Sequence, residues 1–451
     1  MAFNVDKKSV VVVGGGRSGV AAAELLVARG ARVTLADTSP AFEAMHRLSQ
    51  LGVELELGPH RPEQFLSADL VVLSPGVPTD QESIHAARRA GVAVIGEIEL
   101  ASRWLSGRLI AITGTKGKST TTTLAARMLQ EAGLDAPAGG NLGQALSTQV
   151  AASRPASFHV VEVSSFQLES TDTFHPWIAV LLNLSADHLD RHPSFEHYAA
   201  AKARIFANQT AADWAVVNAD DPAALELARG ARARRFDFAL DAALHDGVTI
   251  EGASIVRRDQ GAAAPLVPLA AVRLPGRHLL SDVLAATAVG CLAGVPPAAM
   301  RRAVEGFAGL EHALERVAVV EGVTFVNDSK ATNIESARRA IESFDRGVVA
   351  IMGGRYKGGR FADLGDALRS RGRAVIAIGE AQPLIQTALA DVVPVRLAAS
   401  MDDAVRQAFA AAAPDGVVLL APACSSFDMF HDYVDRGRTF KTCVQKLVDE
   451  R

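Results

Sequence analysis

Runs of apolar residues alternate with amphipathic stretches along most of the chain. The first run, Ser9–Val13, is followed by glycines and then by a segment with helical spacing of apolar residues. The same order of strand, turn and helix recurs from Leu109–Thr113 into Lys118–Ala132, and again from Thr324–Asn327 towards Val417–Leu420. This alternation predicts α/β layers with largely parallel sheets.

One stretch interrupts the alternation. Between about residues 239 and 274 the pattern breaks into short apolar pieces with Gly and Pro, which indicates a small β excursion. We therefore predict three domains in these 451 residues: a Rossmann-like domain at 1–107, a central P-loop-type ATPase α/β domain with the excursion at 108–308, and a C-terminal Rossmann-like domain at 309–451.

Composition narrows the class of protein. Hydrophobic residues make up 49% and charged residues 21%, which excludes disordered and fibrous chains. The net charge of −4 gives no reason to expect a nucleic-acid or anionic-membrane partner. The three cysteines are typical of a reducing cytoplasm. The uncharged run from Val283 to Met300 contains two Gly and two Pro, so we expect a buried helix and a turn rather than a membrane insertion.

Two glycine-rich turns carry candidate phosphate chemistry. Gly14-x-Gly16-x-x-Gly19 follows a strand, and Asp37 ends the next strand, as in a dinucleotide or nucleotide-diphosphate site. An ordinary Gly-rich turn of a doubly wound domain would have the same sequence pattern. The segment 114–120, GTKGKST, is more specific, although the first glycine of a strict P-loop would fall at Ile112. Its amides and Lys118 are suited to a triphosphate, and a Ser or Thr hydroxyl to Mg²⁺.

Polar residues also follow several strands. Glu162 ends the strand at 158–163, and Asp187 and His188 follow the strand that ends at 184. Lys202 lies in a helical stretch, where spacing alone indicates an exposed lysine. Three polar loops, at 327–333, 353–357 and 424–426, follow strands of the third block, and we expect them at one end of a sheet.

Together these segments resemble the Mur ligase family, and most closely its D-glutamate-adding members. The resemblance spans the chain and includes GTKGKST at 114–120, GGNLG at 139–143, VEVSSFQLE at 161–169, SADHLDRH at 185–192, AAKARIF at 200–206, NDSKATN at 327–333 and APACSSFD at 421–428. It implies a cytoplasmic, monomeric ligase that forms C–N bonds in peptidoglycan precursor synthesis. The implied substrates are UDP-N-acetylmuramoyl-L-alanine, ATP and D-glutamate, and the implied cofactor is Mg²⁺, with two ions.

The resemblance also implies roles for individual residues. The catalytic set would be Lys118, Glu162, His188, Lys202 and Lys330, and the metal ligands Ser119, Glu162, His188 and Lys202, the last as a carbamate. ATP would contact Gly114, Thr115, Lys116, Gly117, Lys118, Ser119, Thr120 and Asp328. The UDP-sugar would contact Gly14, Arg17, Ser18, Asp37, Thr38, Ser74, Gly76, Asn141 and His188. D-glutamate would contact Lys330, Thr332, Lys357, Ser426, Phe427 and Tyr433.

Ser39 stands where some family members have an arginine, and four positions outside the N-terminal domain also depart from the family pattern. Leu279 and Asp282 stand where the family has asparagines, Ala313 where an arginine follows histidine, and Arg355 where the Gly-Gly loop has an acidic residue. We expect altered contacts to the nucleotide, and an unchanged reaction because none of these lies in the phosphate loop. The alternatives are a sister Mur-type ligase that adds a different amino acid and an NAD-dependent oxidoreductase, which would leave the segments 114–120 and 327–333 unexplained.

Overall fold

The computed structural model describes residues 3–187, 191–274 and 276–451. Two compact units divide the chain: the first contains Met1–Val272 and Ser281–Gly306, and the second Arg273–Leu280 and Phe307–Arg451. The described residues form four sheets, of which three belong to the first unit. The sheets and their helices confirm the predicted α/β class.

The N-terminal sheet is entirely parallel. Its strands are β1 (Ser9–Val13), β2 (Arg32–Asp37), β3 (Glu54–Leu57), β4 (Leu70–Leu73) and β5 (Ala93–Gly96), and its helices are α1 (Arg17–Ala28), α2 (Met45–Gln50), α3 (Pro62–Leu66), α4 (Glu82–Arg89) and α5 (Glu97–Ser102). The strand order is β3-β2-β1-β4-β5, so the chain adds β2 and β3 on one side of β1 and β4 and β5 on the other. Ligands bind at this reversal of strand order, between β1 and β4, in doubly wound sheets. Val10 and Val12 pack into one apolar cluster and Val11 and Val13 into another, because side chains alternate across a strand covered on both faces.

The central sheet is also parallel. It contains β6 (Arg108–Thr113), β7 (Ala138–Gly140), β8 (Phe158–Glu162), β9 (Ile178–Leu181), β10 (Trp214–Val217) and β11 (Arg234–Arg235), with α6 (Lys118–Glu131), α7 (Ser165–Glu169), α8 (Phe195–Ala203) and α9 (Pro222–Leu227). The strand order is β11-β10-β9-β6-β8-β7, so β6 lies between β9 and β8. The loop after β6 therefore opens at a reversal of strand order.

The predicted β excursion is a separate four-stranded sheet. It is formed by β12 (Asp237–Phe238), β13 (Gly247–Glu251), β14 (Ser254–Asp259) and β15 (Ala262–Pro268), and is followed by α10 (Arg277–Leu292) and α11 (Pro297–Glu305). Asp282 lies inside helix α10. Within the described ranges, no helix has the length and apolar character needed to cross a membrane.

The second unit contains one mixed sheet. Its strands are β16 (Glu315–Val320), β17 (Val323–Asn327), β18 (Val348–Gly353), β19 (Gly372–Ile378), β20 (Val395–Leu397) and β21 (Val417–Leu420), and its helices are α12 (Ile334–Glu342), α13 (Gly365–Arg371), α14 (Gln382–Leu389), α15 (Met401–Ala412) and α16 (Tyr433–Asp449). The order is β16-β17-β21-β18-β19-β20, with only β16 antiparallel to its neighbour. The ends of β17, β21 and β18 therefore lie side by side.

Candidate active site

The phosphate loop, residues 114–117 of the segment GTKGKST, connects β6 to α6. Gly117 caps the helix with φ of +84°, and a Cβ built there would lie 2.0 Å from Oδ1 of Asp282. Only glycine fits this position, because a side chain would be strained and would collide with the carboxyl group. The first-turn N–H groups of α6 and the helix dipole favour an anion at this end.

Asn183 braces the loop from the end of β9. Its Oδ1 accepts hydrogen bonds from the backbone N–H groups of Thr115 (3.1 Å) and Lys116 (2.9 Å), and its Nδ2 donates to the carbonyl of Lys116 (3.0 Å). The Thr115 hydroxyl lies 3.0 Å from the hydroxyl of Tyr198. We expected these amides to wrap a phosphate. In this structure the N–H groups of Thr115 and Lys116 bond to Asn183, a residue that no sequence motif indicated.

Glu162 connects the loop to its neighbouring strand. The Ser119 hydroxyl donates to Oε2 of Glu162 at 2.6 Å, and the Asn141 side-chain amide donates to Oε1 at 2.7 Å. Glu162 is only 3% exposed, so its carboxylate is held in one orientation. A carboxylate beside a hydroxyl supplies the hard oxygen ligands that Mg²⁺ prefers, and the residues present fit this ion. Among the described residues there is no group of three or more His, Cys, Asp or Glu side chains that could hold a metal by themselves.

Lys202 is buried against the same loop. Its Nζ donates to the carbonyl of Gly114 at 2.8 Å, lies 4.8 Å from the centre of the Tyr198 ring, and is 2% exposed as a residue. The interpretation of an exposed helix lysine, which spacing alone suggested, is wrong. Burial lowers the pKa of Lys202 well below its usual value, and the nearby Lys118 lowers it further.

Lys118 lies beside Lys202. Its Nζ donates to the carbonyls of Gly114 (3.1 Å) and Thr115 (2.9 Å), so both lysines bond to the oxygen of Gly114. Lys116 lies on the same loop, with its Nζ 3.6 Å from the Asp187 carboxylate. His188, predicted for the catalytic, metal and UDP-sugar sets, lies outside the described residues.

Asp282 lies directly beneath the loop. It is 5% exposed, and burial raises the pKa of its carboxyl to about 8, a shift that Lys118 opposes. In the sequence, this position departs from the asparagine of the family pattern. The burial of this acid against the phosphate loop is thus a result of the tertiary structure.

A cavity of about 430 Å³ opens at the reversal of strand order in the N-terminal sheet. Eight of the nine residues predicted for the UDP-sugar line it: Gly14, Arg17, Ser18, Asp37, Thr38, Ser74, Gly76 and Asn141. The volume lies in the range of small-molecule sites. His60, Gln81 and Gln167 also line the cavity and were missed. Nδ1 of His60 lies 3.2 Å from Gln81, while its buried Nε2 has no hydrogen-bond partner among the described residues.

The glycine motif shapes this cavity. A Cβ on Gly19 would lie 1.8 Å from the carbonyl oxygen of Gly14, so the helix can start only with glycine there. The Asp37 carboxylate accepts a hydrogen bond from the Gly15 N–H, and the Ser74 hydroxyl donates to the Gly14 carbonyl at 3.0 Å. Arg17 reaches the carbonyl of Gly143 at 3.0 Å, which connects α1 to the loop that contains Asn141.

The second unit brings its three polar loops together as expected. Arg355 and Ser425 exchange backbone hydrogen bonds at 2.9 and 3.1 Å, and the Ala423 N–H donates to the Ala331 carbonyl at 2.9 Å. The residues predicted for D-glutamate lie on these loops or at the start of α16: Lys330 and Lys357 are exposed, Thr332 is half-buried, Ser426 is buried, and Phe427 and Tyr433 are exposed. Asp328 is 9% exposed and accepts a hydrogen bond from the Leu314 N–H at 3.1 Å.

Comparison with family models identifies the chain. Three models match successive parts of it: the Mur ligase MurD-like N-terminal domain at residues 8–96, the Mur ligase middle domain at 112–290 and the Mur ligase glutamate ligase domain at 312–424. The chain belongs to the Mur ligase family. The phosphate loop, Glu162 and Lys202 lie in the part matched by the middle domain of the Mur ligases.

Curated Mur ligases match the chain over nearly its full length. The UDP-N-acetylmuramoylalanine–D-glutamate ligase of Acidobacterium capsulatum is 46% identical over 443 residues, covering 97% of this chain and 96% of that protein. The ligase of the same name from Koribacter versatilis is 42% identical over 451 residues and covers 99% of both. Among solved structures, the Mur ligase MurC of Thermotoga maritima, a UDP-N-acetylmuramate-alanine ligase, has a TM-score of 0.62 at 19% identity, covering 98% of this chain and 100% of that one. This structural likeness shows a common fold.

Proposed function

We propose that this chain is an ATP-dependent ligase that adds D-glutamate to UDP-N-acetylmuramoyl-L-alanine in peptidoglycan precursor synthesis. The observation that carries the proposal is the full-length match, at 42–46% identity, to relatives named for that activity. The contacts among the phosphate loop, Glu162 and Lys202 supply the chemistry that such a reaction requires.

The reaction has two bond-forming steps. The L-alanyl carboxylate attacks the γ-phosphorus of ATP, an O–P bond forms, and the bond to the ADP oxygen breaks. The amine of D-glutamate then attacks the acyl-phosphate carbonyl, a C–N bond forms, and phosphate leaves with the C–O bond electrons while the amine loses a proton. Phosphoryl transfer depends mainly on positioning and charge neutralisation. Lys118 and the first turn of α6 neutralise phosphate charge, and Asn183 keeps their loop rigid.

Magnesium binding is assigned to the Ser119–Glu162 pair. When bound, Mg²⁺ would neutralise phosphate oxygens and orient the transferred group. Asn141 holds one oxygen of Glu162 at 2.7 Å and so fixes the direction of the carboxylate. We assign a second ion to His188 and a modified Lys202.

Lys202 is proposed to be carbamylated. A neutral amine adds to CO₂, a C–N bond forms, and one proton is released to give a carbamate. Because burial lowers the pKa of Lys202, the neutral amine that this addition needs is more available than in an exposed lysine. The modification would place an anion next to Lys118.

The two remaining substrates are assigned to separate places. The cavity of about 430 Å³ between β1 and β4 takes the UDP-sugar, with its diphosphate at the N-terminus of α1. D-glutamate lies on the loops of the second unit, where Lys330, Lys357 and Ser426 match its carboxylates. We assign the domains to residues 1–107, 108–308 and 309–451, and we place the enzyme in the cytoplasm as a monomer.

The test measures phosphate release by the purified protein with ATP, Mg²⁺ and UDP-N-acetylmuramoyl-L-alanine. Parallel reactions contain D-glutamate, L-glutamate, D-aspartate, L-lysine, meso-diaminopimelate or no amino acid. Release that requires D-glutamate supports the proposal. Release that requires another amino acid assigns the chain to a sister ligase activity, and release without any amino acid refutes a ligase.

A matched pair of lysine variants connects the activity to the loop. Lys118→Met removes the cation that bonds to Gly114 and Thr115, and we expect at least a ~100-fold loss of kcat, in line with the effects of removing an electrostatic stabiliser. Lys446→Met removes an exposed lysine of the second unit and should retain wild-type activity. Equal activity of the two variants would exclude the loop from catalysis.

A further inference from the structure

Arg436 lies fully buried near the start of α16. Its side chain has 0% exposure and is among the largest buried side chains of the protein. The guanidinium bonds to the loops that follow two neighbouring strands, β17 and β21: Nε donates to the Ser329 hydroxyl at 3.0 Å, Nη2 to the Ser329 carbonyl at 3.0 Å, and Nη1 to the Cys424 carbonyl at 3.1 Å. Nη1 also lies 3.5 Å from the carbonyl of Gly353.

These partners are all neutral oxygens. Among the residues that the structure describes, no carboxylate forms an ion pair with Arg436. The charge of Asp428 raises the pKa of Arg436, but its Oδ2 accepts the Glu380 N–H at 2.9 Å. Burial lowers the pKa of Arg436 to about 10, so the side chain remains a cation at neutral pH. A buried charge normally requires a partner of opposite sign, because its lost hydration is expensive.

The backbone around Arg436 is shaped for this cation. Gly354 has φ of +129°, and a Cβ there would lie 3.2 Å from Nη1 of Arg436 and 2.1 Å from the Ser425 carbonyl. The Ser329 hydroxyl donates onward to the Tyr433 carbonyl at 2.7 Å, so the start of α16 is fixed to the loop after β17. The loops that meet at Arg436 are the ones that contain Lys330, Lys357 and Ser426.

We propose that Arg436 is a positioning and specificity residue for the amino acid: it fixes the three loops, and its unneutralised charge favours a substrate that brings a second carboxylate. This inference rests on the proposed function, because it assigns D-glutamate to these loops. Because Arg436 is fully buried, its charge acts in a medium of low dielectric, where a cation attracts an anion more strongly than in water. The contrasting interpretation is a cation that serves only to hold the loops.

Three variants separate these interpretations. Arg436→Lys keeps the charge and loses the fork that spans three loops. Arg436→Met keeps an unbranched side chain and loses the charge, and Arg438→Met removes an exposed arginine from the same helix. Each variant is assayed for the KM of D-glutamate, the KM of ATP, kcat, and the inhibition constant of D-glutamine, which has the same shape and lacks the second charge.

For Arg436→Met we expect the KM of D-glutamate to rise at least ~10-fold, with the KM of ATP unchanged within about twofold. The preference for D-glutamate over D-glutamine should fall at least ~10-fold, because D-glutamine lacks the second carboxylate that the cation favours. Arg436→Lys should raise the KM of D-glutamate by about threefold or more and retain the preference. Arg438→Met should match the wild type.

Two outcomes would overturn the inference. One is a fall in kcat with an unchanged KM of D-glutamate, which indicates a smaller folded fraction. The other is an equal loss of affinity for D-glutamate and D-glutamine. If circular dichroism shows that Arg436→Met does not fold, a wild-type KM in Arg436→Lys overturns it. Wild-type protein without D-glutamate-dependent phosphate release would instead refute the proposed function.

Discussion

Asp282 makes the stability of the first unit depend on pH. Its carboxyl is neutral in the fold near pH 7, since burial raises its pKa to about 8, whereas in the unfolded chain it ionises with the usual value of 3.8. The folded state therefore binds more protons than the unfolded state between these two values, and stability falls as pH rises through that window. The contribution of the protonated Asp282 carboxyl to stability is complete below pH 3.8 and is lost by about pH 8.

The magnitude follows from the two pKa values. Keeping the carboxyl protonated in the fold lowers the free energy of unfolding by about 2 kcal/mol at pH 5 and about 4 kcal/mol at pH 7, at 1.36 kcal/mol for each pH unit above the pKa of the unfolded chain. Asp282→Asn has nearly the same shape and does not ionise. We therefore expect its unfolding free energy to exceed that of the wild type by an amount that grows by about 2 to 3 kcal/mol between pH 5 and pH 7.

The assay is urea unfolding followed by tryptophan fluorescence at pH 5, 6, 7 and 8. All three tryptophans, Trp104, Trp177 and Trp214, belong to the first unit, so the signal reports the unit that contains Asp282. Asp391→Asn, an exposed position of the second unit, is the control and should leave the curve unchanged. A difference between Asp282→Asn and wild type that stays constant from pH 5 to pH 8 would refute the reasoning.

Three further predictions follow from contacts in the first unit. Gly117→Ala should destabilise the first unit more than Gly133→Ala in urea unfolding. Both glycines have positive φ, but only at Gly117 would the added Cβ lie 2.0 Å from a carboxyl oxygen, so equal losses of unfolding free energy would contradict this. Glu99→Gln should lower the free energy of unfolding by about 3 to 5 kcal/mol, because the buried Glu99 carboxylate accepts hydrogen bonds from the N–H groups of residues 172–174. The control Glu43→Gln changes an exposed residue and should lower it little. Burial raises the pKa of Glu99, yet these bonds and Arg103 outweigh it and hold the pKa below 4.5, so the contribution is lost as pH falls below that value in acid titrations. Lys202→Met should abolish both bicarbonate-dependent activity and the mass gain of one CO₂, and activity equal to wild type would exclude the carbamate.

The local sequence determined much of the fold. Strands buried on both faces are continuous apolar runs, and the glycine turns after β1 and β6 can form only where no Cβ intrudes. For this reason the pattern alone predicted the α/β class, the β excursion and the two glycine loops. It also predicted that the loops after β17, β18 and β21 would meet, since parallel strands end at one edge.

The tertiary structure decided the state of the charged groups. Spacing indicated an exposed Lys202, but α8 places its amine beneath the phosphate loop, and Asp282 and Arg436 became buried in the same way. Nothing local to these residues encodes that burial, because desolvation depends on atoms contributed by distant segments. The sequence thus determined which elements form and where the loops with the chemistry lie, and only the packing of those elements decided which of their charges lie away from water.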